Sequence, residues 1–337
     1  MKKVIKGWNH FPGLHCGSVA IRDIASFYGL TLSEPMCFGL GSGLGFFYTI
    51  ENDISPTRNI HVRGPDMEPN FFSLLTGNKK WKFEQDSEKA LQVVIEYINQ
   101  DIPVLVQTDI YYLDYYNSKT HFPGHIVVVC GYDEQKEEIY LSDTGFEDLQ
   151  TVSYKSFKKS RSSQVKPYPL NSNWFEVGPE LALGLTEVDY QKLIPQSLKN
   201  NALNMLKGVT SPRGFCSVKS ISELSDDILN WKHLEDWKWC FRYSYQVIQK
   251  RGTCGAGFRW MYRDFLNEAK NHFNFEFTDK LAKKMDVIGK QWYELSNLLK
   301  KISEQDKPGS YLTQSSQRLL NIYNLEKSFY TEIVNNI

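Results

Sequence analysis

The chain has 337 residues, and its 39 basic and 39 acidic side chains leave a formal net charge of zero. This length is enough for two domains that each have a hydrophobic core. The balanced charge does not favour nucleic-acid binding, and no apolar run approaches the length needed to cross a membrane. The 6 cysteines form no CxxC pair, and the first residues lack the apolar stretch of a signal peptide, so we expect a cytoplasmic protein with reduced thiols.

The stretch from His10 to Gly29 predicts a helix that begins close to Cys16. Apolar side chains recur at helical spacing after Gly17, and Gly29 is suited to end the helix. A thiol in the first turn of a helix faces unpaired N–H groups and the positive end of the helix dipole, and both favour the reactive thiolate. The same N–H groups can hold the oxyanion of a carbonyl under attack, so Cys16 is the candidate nucleophile.

A nucleophilic cysteine needs a base, and the base needs a group that orients it. The β-branched run that follows His125 predicts a strand, and residues 139–142 predict its antiparallel partner, which ends at Asp143. A short hairpin between these strands brings His125 and Asp143 to the same end of the sheet. His125 and Asp143 are therefore the candidate base and orienting acid.

Two other histidines are alternatives for the base. His15 is adjacent to Cys16, but neighbouring side chains on a helix point in different directions. His121 lies four residues before His125 and could line the same cleft. A zinc site that combines His121, His125 and Cys16 would lack a known ligand spacing.

Composition and periodicity predict two domains. The segment 155–173 is rich in Lys, Ser and Pro, and we expect a domain boundary there. Beyond it, helical segments between residues 188 and 334 predict a bundle. The expected fold class is α+β, with an antiparallel sheet in a domain of residues 1–165, followed by a helical domain of residues 174–337.

Several stretches of the chain resemble the butirosin biosynthesis protein H family. In the first half these are HCGSVAIRDIASFYG, MCFGLGSGLGFFY, PVLVQTDIYYLDYY and GHIVVVCGYD; in the second half they are GTCGAGFRWMYRDFLNEA and GKQWYELSNLL. The resemblance covers nearly the whole chain. It implies a papain-like cysteine domain of the transglutaminase and peptidase type, followed by a helical domain. Matched by motif, Cys16, His125 and Asp143 take the catalytic positions.

The resemblance also implies an activity and its partners. The enzyme would move an acyl group from the phosphopantetheine thioester of an acyl carrier protein to an amine of an aminoglycoside. No cofactor is expected to stay bound, because the phosphopantetheine serves as the donor arm of the carrier protein. Papain-like enzymes usually have a glutamine six residues before the nucleophile as an oxyanion donor, and this chain has His10 there. His10 is therefore the candidate for that role.

Three further features are candidates for substrate binding. Asp109 ends a predicted strand beside Tyr111 and Tyr112 and could bind an ammonium group, or it could equally cap its own loop. Gly43 belongs to a glycine-rich run that could pass close to a ligand or form only a flexible loop. Arg251 precedes a helix start that could bind the phosphate of phosphopantetheine or simply connect two helices.

Three classes of function fit this pattern. The first is the amide-forming acyltransferase, and the second is a cysteine peptidase or amidase, which shares the acyl-enzyme and uses water as the acceptor. The third is a binding protein on the same fold. The Cys–His–Asp set argues against the third class, and a helical domain that covers the cleft and excludes water would favour the first. The sequence does not specify the acyl group, the amine or the oligomeric state.

Overall fold

The computed structural model describes residues 1–77, 79–166, 168–181, 189–309 and 311–337. The described residues form two compact units, the first from Met1–Cys37 and Glu68–Val188 and the second from Phe38–Met67 and Asp189–Ile337. The fold is α+β with antiparallel sheets, as predicted. Within the described ranges, no helix combines the length and the apolar composition that crossing a bilayer requires.

The elements are numbered in chain order. The strands are β1 (Lys2–Val4), β2 (Leu44–Ile50), β3 (Arg58–Arg63), β4 (Val104–Thr108), β5 (His125–Asp133), β6 (Glu138–Ser142), β7 (Gln150–Ser153), β8 (Trp174–Glu176), β9 (Val209–Ser211) and β10 (Gly214–Cys216). The α-helices are α1 (Cys16–Phe27), α2 (Glu34–Leu40), α3 (Met67–Thr76), α4 (Ser87–Asn99), α5 (Tyr154–Arg161), α6 (Tyr190–Lys207), α7 (Lys219–Asp227), α8 (Trp237–Gln249), α9 (Arg259–Ala269), α10 (Phe275–Ser303) and α11 (Tyr311–Asn336).

The first unit is built on a sheet with the strand order β7-β6-β5-β4-β8. Strand β5 is buried along its whole length because its β-branched side chains meet apolar side chains on both faces. Strand β1 pairs with the end of β5 that β4 leaves unpaired. Helix α4 buries its predicted apolar face, including Leu91 and Val94, in the same core cluster as Val127 and Val129.

The β5–β6 hairpin sets the position of the two predicted catalytic partners. Val128 pairs with Ser142, and the register shifts by one residue between Val129 and Gly131. Continuing this pairing by one residue brings Asp143 opposite Val127. His125 lies two residues beyond Val127 on the same face, because side chains alternate along a strand. The hairpin therefore brings His125 and Asp143 to one end of the sheet.

The predicted boundary at 155–173 is a packed part of the first unit. Helix α5 occupies its first half, with Phe157 and Arg161 fully buried. The Arg161 guanidinium donates to the carbonyl groups of Ala90 and Ser172 at 3.1 and 2.8 Å. Strand β8 then pairs with β4, which joins residues 174–176 to the first sheet. The lysines of this segment lie among buried residues, so its composition does not correspond to an exposed chain.

The second unit differs from the predicted helical domain in containing a sheet with the strand order β3-β2-β10-β9. Phe47 of β2 pairs with Cys216 of β10, so residues 38–67 belong to this unit although they precede most of the first unit in sequence. Helices α6 to α11 supply the predicted bundle. At its centre, Arg259 donates to both carboxylate oxygens of Glu326, at 2.9 and 3.1 Å, and neither side chain is exposed.

Candidate active site

Cys16 is the first residue of α1, as predicted, and its side chain is half-buried. His15 is the N-cap residue, and its Nδ1 accepts a hydrogen bond from the Ser18 amide at 3.2 Å. The carboxylate of Glu34 accepts from the His15 amide at 2.7 Å and from the Ser18 hydroxyl at 2.9 Å. These contacts fix the start of the helix, where the first N–H groups have no acceptor within the helix. His15 thus caps the helix instead of acting as the base.

His125 and Asp143 form a buried pair with exposed fractions of 6% and 1%. The Nε2 atom of His125 lies 2.9 and 3.0 Å from the two carboxylate oxygens of Asp143. The Cys16 side chain is also hydrogen-bonded to His125. Because Nε2 is taken by Asp143, Nδ1 is the ring nitrogen left for the sulfur. The structure thus brings together the three residues that the sequence predicted as catalytic.

The protonation of His125 follows from this arrangement. Burial by itself would lower the pKa of His125, but the charge and hydrogen bond of Asp143, with the hydrogen bond and charge of Cys16, raise it to about 10. An imidazolium beside the sulfur favours the thiolate form of the cysteine. The arrangement can therefore supply a thiolate that attacks a carbonyl carbon and an imidazolium that protonates the leaving group.

Two tyrosines complete the site, and sequence reasoning missed both. The hydroxyl of Tyr115 donates to Asp143 Oδ2 at 2.6 Å, and that of Tyr116 donates to Oδ1 at 3.2 Å. Burial opposes the charged form of Asp143, but the charge and hydrogen bond of His125 and the two hydroxyl groups hold its pKa below the usual value. The carboxylate therefore stays ionised and is held in one orientation.

We expect Tyr115→Phe to lower kcat by about 5- to 30-fold, because losing one hydrogen bond to a buried charged group is worth about 1–2 kcal/mol. The measurement is steady-state kinetics at a fixed pH. Tyr154→Phe is the matched control, since its buried hydroxyl has no hydrogen-bond partner among the described residues. Equal rates for the Tyr115→Phe variant and the wild type would show that this hydroxyl does not support Asp143 in catalysis.

His10 lies beside the site, but its geometry does not suit the predicted role of oxyanion donor. Its Nδ1 is 2.6 Å from a carboxylate oxygen of Asp23, and its Nε2 is 2.8 Å from the carbonyl oxygen of Phe146. The side chain is only 3% exposed. Both ring nitrogens face acceptors of the protein itself, so neither N–H can point at a substrate oxyanion. The spacing of six residues from Cys16 predicted that His10 lies near the site, but it did not predict the direction in which the ring nitrogens point.

Asp109 is fully buried, so it does not meet an ammonium group of a substrate as predicted. Its carboxylate accepts from the amides of Tyr111 and Phe122 at 3.2 and 2.9 Å and from the Ser163 hydroxyl at 2.7 Å. The remaining partner is His121, whose Nδ1 lies 2.7 Å away. Asp109 therefore holds its own loop together, the alternative that the sequence had left open, and it also orients His121.

Three aromatic side chains lie together on the surface of this loop. The ring of Tyr111 is stacked on His121 with centroids 4.1 Å apart, and Tyr112 meets His121 edge-on at 5.8 Å. Tyr111 is 45% exposed, and the His121 side chain is 33% exposed. The loop follows β4, whose last residue pairs with His125. Tyr111, Tyr112 and His121 therefore form an exposed aromatic surface, which we call the tyrosine loop surface, at the sheet end that carries His125.

The other two predicted binding residues lie in the second unit. Gly43 is buried, its amide donates to the Phe38 carbonyl, and its carbonyl accepts from Gly64. A Cβ atom at Gly43 would lie 2.7 Å from the Phe38 ring, so glycine is needed for packing and the backbone does not face a ligand. Arg251 is exposed and donates to the side chain of Gln246 at 2.9 Å while lying over the Tyr243 ring.

Across the described ranges, no group of three or more His, Cys, Asp and Glu side chains is arranged to hold a metal ion. Arg259, at the other end of the glycine-rich turn that begins after Arg251, is fully buried against Glu326 and is not available to a phosphate.

Fold and site together define an α+β protein with a Cys–His–Asp constellation at the start of a helix and the end of an antiparallel sheet. Residues 15–144 match the family model described as "Butirosin biosynthesis protein H, N-terminal". Residues 155–333 match the model "Domain of unknown function (DUF4872)". The chain therefore belongs to the butirosin biosynthesis protein H-like family, as the sequence motifs predicted. A search of curated proteins gave no match.

Proposed function

We propose that the protein is a cysteine-dependent acyltransferase with a papain-like first unit, and that it forms amides in natural-product biosynthesis. The observation that carries the proposal is the geometry of Cys16, His125 and Asp143. The sulfur is at a helix start, the imidazole is hydrogen-bonded to it, and the carboxylate holds Nε2 of the imidazole at 2.9 Å. The family match supports an enzyme of biosynthesis.

The first half-reaction forms the acyl-enzyme. The Cys16 thiolate attacks the carbonyl carbon of a thioester, and the negative charge that develops on the carbonyl oxygen is stabilised by N–H groups of the first turn of α1. The carbon–sulfur bond to the donor then breaks, and the departing thiolate takes a proton from the His125 imidazolium. The products are an acyl group on Cys16, a neutral His125 and a free donor thiol.

The second half-reaction transfers the acyl group. A neutral amine attacks the Cys16 thioester, and His125 accepts the proton that the amine nitrogen loses. The bond from carbon to the Cys16 sulfur breaks, which releases an amide and restores the thiolate and imidazolium. Asp143 keeps the imidazole in the same orientation through both steps, because it holds Nε2 and leaves Nδ1 directed at the sulfur.

The tyrosine loop surface is the proposed contact for the acceptor. It is exposed, it is built from rings, and it lies at the sheet end that carries His125. Tyrosine and histidine rings can pack against the faces of a sugar or hold a cation over the ring of Tyr111. An aminoglycoside has both sugar rings and ammonium groups. The proposed donor is the phosphopantetheine thioester of an acyl carrier protein.

The experiment that separates transfer from hydrolysis is a competition. The protein is given an acyl N-acetylcysteamine thioester together with an aminoglycoside such as neamine, and amide and free acid are measured by mass spectrometry. We expect amide to exceed acid, because a positioned amine has an effective concentration of about 10⁵ M or more, far above that of water at ~55 M. Hydrolysis as the main outcome with every amine tried, together with cleavage of peptides, would support the peptidase or amidase instead.

A further inference from the structure

We propose that His10 is a positioning residue that holds the helix carrying Cys16 against the turn carrying Asp143. This inference rests on the proposed function, in which the distance between the Cys16 sulfur and the His125 ring decides the rate. It replaces the oxyanion role expected at this position, and it assigns a function to a buried histidine that touches neither the substrate nor the reacting atoms.

The contacts of His10 reach two separate elements of the site. On one side, Nδ1 is 2.6 Å from Asp23, which is seven residues after Cys16 on α1. Residues seven apart on a helix share one face, so this contact fixes the face that presents the nucleophile. On the other side, Nε2 is 2.8 Å from the carbonyl oxygen of Phe146, whose amide donates to the carbonyl of Asp143 at 3.1 Å.

One imidazole therefore spans the gap between the nucleophile helix and the turn that begins at Asp143. A second link is made by the Gly13 amide, in the loop before α1, which donates to the Thr144 carbonyl at 3.1 Å. Glu34 fixes the helix start from the side of α2, but it does not reach the Asp143 turn. His10 is thus suited to set the distance between α1, which carries Cys16, and the turn that carries Asp143.

The bridging contact is strongest when His10 is protonated. Both neighbours are acceptors, and a neutral imidazole can donate from only one nitrogen, whereas an imidazolium donates from both. Burial lowers the pKa of His10, but the hydrogen bond and charge of Asp23 and the carbonyls of Phe146 and Asp143 raise it above its usual value. The other charged group that contacts Asp23 is Arg22, whose guanidinium donates to the carboxylate at 2.9 Å.

The sign of the pH dependence follows from the raised pKa. The bridge contributes fully below the pKa that histidine has in an unfolded chain, about 6.5, and its contribution is lost as the pH rises through the raised value. Loss of the bridge removes no reacting group. It would instead loosen the hydrogen bond between Cys16 and His125, and therefore reduce the share of Cys16 present as thiolate.

The test measures the reactivity of Cys16 itself, so it does not require a known substrate. Alkylation by iodoacetamide is followed between pH 5 and pH 9 by mass analysis of the Cys16 peptide, for the wild type, His10→Ala, His10→Gln and Asp23→Asn. We expect about a 10-fold slower alkylation at pH 7 for His10→Ala, with its acid limb moved to higher pH, and partial recovery for His10→Gln, which can still donate one hydrogen bond. His233→Gln, at an exposed histidine of the second unit, is the control and should match the wild type.

Unchanged alkylation profiles in folded His10→Gln and Asp23→Asn proteins would overturn the inference, whatever their thermal stability. If His10→Ala does not fold, these two milder variants decide the question. With an acyl thioester, His10→Ala should lower kcat about 10-fold or more, with partial recovery in His10→Gln, while the KM for the donor stays within about 2-fold. If wild-type Cys16 is alkylated rapidly but never acylated by a thioester, the proposed function fails while the positioning role of His10 stands.

Discussion

Cys16→Ala should abolish acyl transfer, with a loss of several orders of magnitude in kcat. Covalent catalysis divides one difficult displacement into two easier steps, and without the sulfur the acyl group has no attachment site. Removing a catalytic nucleophile commonly costs about 10⁴-fold or more, and His125 and Asp143 cannot compensate because they act through the sulfur. The loss is measured by single-turnover kinetics with an acyl thioester.

The chain supplies a matched control for this substitution. Cys254 is also half-buried, but it lies in the second unit and does not belong to the Cys–His–Asp set. Cys254→Ala should therefore keep at least about half of the wild-type rate, provided that it folds. An active Cys16→Ala protein would contradict the mechanism, and an inactive Cys254→Ala protein that is well folded would point to the wrong cysteine.

Asp143→Asn should lower kcat/KM by about 10²- to 10⁴-fold with little change in size or packing. Asp143 holds Nε2 of His125, and its negative charge raises the pKa of that ring. The neutral amide lowers the pKa of His125, so the alkaline limb of the kcat/KM profile should move to lower pH. The measurement is kcat/KM between pH 6 and pH 10.5 for both proteins.

Asp133→Asn is the control, because Asp133 is the last residue of β5 and lies at the opposite end of this strand from His125. Asp133 is buried and accepts hydrogen bonds from the amides of Gln135 and Lys136, so its loss should reduce stability without changing the pH profile. If Asp143→Asn leaves the alkaline limb where it is in the wild type, Asp143 does not control the protonation of His125, and Tyr116, which lies 3.3 Å from Nε2, would need to be considered in its place.

The sequence predicted the residues whose positions follow from local patterns. Helix α1 begins at Cys16 because the loop before it lacks helical periodicity and His15 can cap the first turn. The meeting of His125 and Asp143 follows from one hairpin, in which the distance along the chain is short and alternation fixes the faces. These three positions required no knowledge of the rest of the fold.

The missed features depend on contacts between distant parts of the chain. Four tyrosines lie between positions 111 and 116, and nothing local distinguishes the pair that faces Asp143 from the pair that faces His121. The partners of His10 are a helix side chain and a backbone carbonyl 136 residues away. Every residue has a backbone carbonyl whatever its side chain, so sequence patterns could not reveal this contact.

The two compact units divide the chain differently from the predicted domains, for a related reason. Residues 38–67 precede most of the first unit, yet they pair with β10 in the second unit, and this pairing joins residues 47 and 216. Strand pairing over such a distance is decided by the whole fold. Composition predicted a domain boundary at 155–173 because lysines and serines are frequent there, whereas the buried side chains of α5 pack its first half into the first unit.

The most direct test of the central claim is the intact mass of the protein during turnover. Wild type and Cys16→Ala are incubated with an acyl N-acetylcysteamine thioester, and an amine is added afterwards. The account predicts that the wild type gains the mass of one acyl group on the peptide containing Cys16, that the amine removes it as an amide, and that Cys16→Ala gains nothing. An acyl group on another residue, or amide formed equally fast by Cys16→Ala, would contradict it.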